Sequence, residues 1–123
     1  MWLVEYYTRP DGSQPAREWI SEQDNSIRAS IRARIEKLEE NGLLLVRNGM
    51  LVPIVRKRKK DKPGPGLYEL KHKGKKWRLA IYHDLRKGKF ILLCGWRKSQ
   101  PRQEKDIAKA RALLQEYLIT KEE

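Results

Sequence analysis

The sequence predicts an α+β domain of order β-α-α-β-β-β-α, an antiparallel twisted sheet with the helices packed on one face. Three observations predict it. Ile27, Ile31, Ile35 and Leu38 recur at spacings of four, four and three, one apolar helical stripe. Three strand-like runs then follow closely, separated by Gly74-Lys75 and by Leu85-Arg86-Lys87-Gly88, connections short enough for antiparallel hairpins. Last, Ile107, Ala108, Ala110, Arg111, Leu114, Tyr117 and Leu118 mark one face of a closing helix.

The elements run as follows. Residues 2–8 are β-branched and aromatic enough for a first strand. Pro10-Asp11-Gly12 makes a turn, because Pro sets one φ and Gly permits a positive one. Pro15 suits a helical first turn, so a short helix is expected over residues 15–22. Asp24 or Asn25 caps the striped helix, and Asn41-Gly42 ends it. Residues 43–55 are apolar but broken by Asn48-Gly49 and Pro53, a packed connector with room for one short strand. Residues 56–62 carry too many like charges for a core element and are expected as a loop, stopped by Pro63-Gly64-Pro65-Gly66. Strands are expected over residues 67–73, 76–84 and 89–96, and the last helix over residues 101–118.

Length and charge bound the function. A chain of 123 residues is one domain, 1–123, with a small but sufficient core. Its formal net charge of +12 points to a polyanionic partner: nucleic acid, an acidic protein or an anionic surface. No run of 18 apolar residues exists, so no membrane span is expected, and the N-terminus shows no signal peptide. The single cysteine, Cys94, lies in an apolar run and reads as a buried, inert thiol in a reducing cytoplasm. No His, Cys or carboxylate spacing suggests a metal, and no cofactor is expected.

The charge is concentrated. Residues 56–62 supply six Lys/Arg and residues 71–78 five, eleven against only Asp61 and Glu69. Strand alternation puts Trp77, Leu79 and Ile81 on the helix-packed face, and Arg78, Ala80 and Tyr82 on the other. Lys71, Lys73 and Arg78 are then expected to project together from an open face, with Glu69 and Tyr82 nearby. Like charges this close repel. A phosphate regularly held there relieves the repulsion. Both faces of residues 91–93 are apolar, which makes the last strand central.

Around this hairpin the chain resembles the RelE/HigB-type toxins of the RelE/ParE superfamily, in particular the phage-derived HigB-like branch. The resemblance rests on Gly66-Leu67-Tyr68-Glu69-Leu70, on Gly74-Lys75-Lys76-Trp77-Arg78-Leu79-Ala80-Ile81-Tyr82, and on Leu92-Leu93-Cys94-Gly95-Trp96-Arg97-Lys98-Ser99-Gln100. The element order matches along the whole chain. The resemblance implies a RelE fold and a toxin that cleaves mRNA in the ribosomal A site until a small antitoxin neutralises it. It carries catalytic roles to Arg78, Lys71 and Lys73, and to Arg97 or Lys98 at the sheet exit. The chain departs from the family at Glu69, where some members have a second lysine, and near Gln103, where some have a tyrosine.

Metal-free RNA cleavage uses the RNA's own 2′-OH as nucleophile. It needs a base, cations for the pentavalent charge and an acid for the leaving 5′ oxygen. Arg78 with Arg97 or Lys98 is expected to clamp the phosphate, since a guanidinium fork matches two oxygens. Lys71 is the candidate base, provided that neighbouring cations lower its pKa from about 10.4. Lys73 then stabilises charge. Arg56, Lys57, Arg58, Lys59 and Lys60 are candidates to hold ribosomal RNA, and Tyr82 to stack a base. His72 is expected on the packed face and His83 at the solvated surface.

Three functions stay open: a ribosome-dependent mRNA endonuclease, a ParE-like inhibitor of DNA gyrase, and a non-catalytic RNA-binding domain. The basic cluster favours the first. The expected partners are mRNA, ribosomal RNA and a cognate antitoxin with a helix-turn-helix pattern, whose acidic segments a chain of this charge attracts.

Overall fold

The computed structural model describes residues 1–54, 66–98 and 103–121. Among them, strands β1 (Leu3–Tyr6), β2 (Leu51–Pro53), β3 (Leu67–Lys71), β4 (Trp77–Asp84) and β5 (Lys89–Arg97) form one sheet in the order β1-β5-β4-β3-β2. Helices α1 (Pro15–Ser21) and α2 (Asn25–Asn41) precede a 3-10 turn at Gly42–Val46, and α3 (Glu104–Lys121) closes the chain. The α+β class therefore holds, and the connector supplies the short strand β2.

Local chemistry explains the element ends. Pro15 opens α1. Asp24 caps α2, its carboxylate accepting the Ile27 N–H at 2.9 Å. Gly42 ends α2 with φ of +55°, and the Trp2 indole lies where a Cβ would stand, 2.2 Å from that position. Trp2 also donates its backbone N–H to the Glu39 carbonyl at 2.7 Å, which ties the start of β1 to the end of α2.

Two expectations about the sheet need correction. It is mixed rather than wholly antiparallel: β1 pairs parallel with β5, Leu3 opposite Lys89 and Tyr6 opposite Leu92. The helices also cover both faces. Ala16 of α1 and Ile31 and Leu38 of α2 pack with Leu70, Leu79, Ile81, Phe90 and Leu92. Ala110, Leu113, Leu114 and Tyr117 of α3 pack on the other side, against Leu67, Ala80, Ile91 and Leu93. The reason lies in β5. It is an interior strand with apolar side chains on both faces, and one layer of helices would leave half of them in water.

Polar contacts fasten α3 to its face. The Tyr117 hydroxyl donates to Asp84 at 2.6 Å. Glu116 accepts from the Tyr7 hydroxyl at 2.7 Å and pairs with Arg9 at 3.0 Å.

One irregularity matters for function. Ala80 pairs with Cys94 but Ile81 with Leu92, so Leu93 is an extra residue in β5. This bulge places Leu93 and Cys94 on the same side of the sheet, both in the α3 cluster. Burial pushes the Cys94 thiol up to about 12, which makes it inert at neutral pH.

Candidate nucleic-acid interface

β3 and β4 form an antiparallel pair in which Lys71 lies directly opposite Arg78. Opposed residues share a face, so both side chains start on the same side of the sheet. Arg78 is 8% exposed. Its Nη1 donates to the Trp77 carbonyl at 2.7 Å and to the Lys75 carbonyl at 3.0 Å. Its Nε lies 2.7 Å from Glu69 Oε1, a close charge contact in which the N–H has no aligned acceptor. The guanidinium is thus held in place by the hairpin's own backbone and by one carboxylate.

Among the described residues no strand flanks the hairpin beyond Lys71, because β2 begins only at Leu51. The Met50 carbonyl accepts the Lys71 N–H at 2.9 Å and marks that boundary. The space left between α2, the turn before β2 and the β3–β4 hairpin is a cleft of about 510 Å³. Arg34, Lys71, Lys73, Lys75 and Arg78 line it together with His72, and among the described residues no Asp or Glu does. Arg34 comes from α2, with its guanidinium directed at the Met50 sulfur. The His72 Nδ1 donates to the Lys73 carbonyl at 2.9 Å. Five cations converging on one cleft make a concave seat for an anion.

The family model described as Phage derived protein Gp49-like (DUF891) matches residues 18–115, which include the whole cleft. The chain belongs to this Gp49-like family. The family is RelE-like and is commonly a toxin of toxin–antitoxin systems. No curated protein and no solved structure matches the chain.

In this Gp49-like chain the residues singled out from sequence do not all converge. Lys71, Lys73 and Arg78 meet in one cleft. Arg97 does not join them. It pairs across from Trp77, so it emerges on the α1–α2 side of the sheet, the side opposite Arg78. Lys98 lies one residue past β5, its N–H donated to the Lys76 carbonyl at 2.6 Å. Tyr82 is on Arg78's face but under α3, its ring 5.8 Å from that of Tyr117, which gives it a packing role instead of an open stacking surface. Arg56, Lys57, Arg58, Lys59 and Lys60 lie outside the described residues.

The face bearing Lys71 and Arg78 is therefore only partly open, which corrects the expectation of a bare sheet. Trp96, opposite Arg78, is buried and donates its indole N–H to Gln103 at 2.8 Å just before α3. His83 also differs from expectation. It is 6% exposed, stacked on Phe90 at 4.7 Å and edge-on to Trp2 at 5.6 Å, and burial lowers its pKa.

Sequence reasoning missed Arg34 and the role of Glu69. Nothing local marks Arg34, since it is one of several arginines on α2. Glu69 did carry a signal: once Lys71 is opposite Arg78, Glu69 is the diagonal neighbour of Arg78, within reach of its side chain. Among the described residues no group of three His, Cys, Asp or Glu is arranged to hold a metal ion, and no helix is long and apolar enough to cross a membrane.

Proposed function

We propose that this Gp49-like protein is the toxin of a type II toxin–antitoxin pair and that it cleaves mRNA on the ribosome. The observation that carries the reading is the cleft itself, five cations around a hairpin with no carboxylate in the lining among the described residues. Such a site attracts a phosphodiester and stabilises the added negative charge of a pentavalent intermediate. The RNA's 2′-OH is the nucleophile, and the cations do the work of charge stabilisation that a metal ion does elsewhere.

Within this reading Lys71, deprotonated for this step, takes the 2′-OH proton and becomes the ammonium, and Lys73 stabilises charge. Arg78 is a pre-positioned cation beside the phosphate, fixed by Glu69 and two carbonyls before substrate arrives. Arg34 replaces Arg97 as the second guanidinium, because it lines the cleft and Arg97 does not. His72, doubly protonated with Nδ1–H on the Lys73 carbonyl, gives the Nε2 proton to the leaving 5′ oxygen and is left as the neutral imidazole. An antitoxin with acidic segments that cover the cleft neutralises it by occupying the phosphate seat.

The test is induction in cells followed by mapping of mRNA 5′ ends. Wild-type protein is expected to arrest translation and create new 5′ ends. Lys71→Ala is expected to lower that cleavage about 10²–10⁴-fold. Arrest without new 5′ ends defeats the endonuclease reading, and arrest accompanied by DNA-damage signalling favours a gyrase inhibitor.

A further inference from the structure

A second hollow lies on the far side of the same hairpin. It measures about 210 Å³ and is lined by Trp19, Ile27 and Trp77, with Lys75, Lys76 and Arg97 among its polar residues. We propose that this hollow receives one unstacked base of the RNA strand whose phosphate sits in the cationic cleft, and that it sets nucleotide preference beside the cut. The proposal rests on the endonuclease reading above.

Continuity is the first argument. Gly74 and Lys75 line both the cleft and the hollow, so the two sites are neighbours across a single turn. Gly74 has φ of +82° and would meet nothing within 4 Å if it carried a Cβ. The crest between the sites is therefore bare backbone flanked by exposed lysines, and an extended strand can cross it. In this arrangement the nucleotide has its phosphate on the Lys71 side and its base on the Trp19 side.

The hollow also fits a base chemically. A base has an apolar π face and a polar edge. The hollow offers the partly exposed Trp19 indole and one guanidinium beside the buried Trp77, and among the described residues no Asp or Glu lines it. Aromatic side chains and arginine planes are the groups on which unstacked bases rest.

The walls are also rigid. Trp19 sits directly on Gly95, where a Cβ would lie 2.4 Å from the indole. The Trp77 N–H is donated to Ser30 Oγ at 3.0 Å, which holds that ring against α2. A preformed hollow binds without an ordering cost. A flexible one would select bases poorly.

The experiment is the nucleotide frequency at cut sites, read from mapped 5′ ends after induction of wild type, Arg97→Ala, Trp19→Leu and Lys71→Ala. Wild type is expected to show a preference at one position flanking the cut. Arg97→Ala and Trp19→Leu are expected to flatten that preference by about tenfold, in the cuts they still make, whereas Lys71→Ala lowers cuts at all sequences alike. Arg97 is exposed, so its variant reports on the hollow without a folding defect; thermal melting checks Trp19→Leu. Cuts with unchanged preference in both variants overturn the base hollow and leave the endonuclease standing. Variants that lose antitoxin binding with preference intact assign the hollow to a protein side chain and overturn it as well. Absence of cuts by wild type removes both readings together.

Discussion

Arg78 and Glu69 form an ion pair inside the sheet, Nε to Oε1 at 2.7 Å, with side chains only 10% and 13% exposed. The pair converts a lone arginine opposite a lysine into a fixed element of the cleft wall. It also answers an energetic problem. Lys71 and Arg78 face each other as like charges, and Glu69, two residues from Lys71 on the same face, lowers the local positive potential.

Removing one partner strands the other charge in a largely dry site. Glu69→Ala is expected to destabilise the fold by about 3 kcal/mol, measured by urea denaturation. Arg78→Ala is expected to cost a similar amount, and the double variant less than the sum of the two. Additive losses would show that the contact does not couple the residues.

The cleft lysines predict a salt dependence. Each of Lys71→Ala, Lys73→Ala and Lys75→Ala is expected to reduce the slope of log K against log salt for RNA by about 1. Titration of a 2′-O-methyl oligonucleotide, which lacks the attacking hydroxyl, isolates binding from cleavage. A slope unaffected by all three changes places the phosphates elsewhere.

Gly95 predicts a steric effect. A Cβ there meets Trp19 at 2.4 Å and Leu79 at 2.9 Å. Gly95→Ala is expected to destabilise by about 1–3 kcal/mol through overpacking, more than the roughly 0.5–1 kcal/mol that alanine gains over glycine in a strand. Chemical denaturation measures the loss, and a near-ultraviolet dichroism change reports the displaced indole.

His83 predicts a pH effect. Burial against Trp2 and Phe90 favours the neutral imidazole and lowers its pKa below 6.5, with Asp84 opposing in part. The unfolded chain then binds a proton at higher pH than the native one. Its contribution to stability is present above pH 6.5 and is lost as pH falls from there towards the folded value. His83→Phe is expected to flatten that part of the stability profile. An unchanged slope would mean that His83 is not the titrating group.

The local patterns were enough for much of this molecule. The stripe Ile27, Ile31, Ile35 and Leu38 places α2, and Ile31 and Leu38 are its fully buried members. Alternation along Trp77–Asp84 assigns Trp77, Leu79 and Ile81 to one side and Arg78, Ala80 and Tyr82 to the other, as the two clusters show. A hairpin turn at Gly74 then brings Lys71 opposite Arg78. Helical and strand periods are properties of neighbouring residues, and so these features need no knowledge of what lies across the fold.

Other features depend on residues far apart in the chain. Alternation from Ile91 without interruption would put Arg97 on the face of Arg78, but the extra residue at Leu93 turns it to the other side. That bulge arises from pairing between β4 and β5 and from packing under α3, neither of which a strand pattern contains. The same holds for α3 over Tyr82, for Arg34 in the cleft and for His83 between two aromatic rings. Elements, their faces and the basic hairpin follow from neighbouring residues alone; which cations share a cleft follows from packing across the fold, because a period of two carries no information past a bulge.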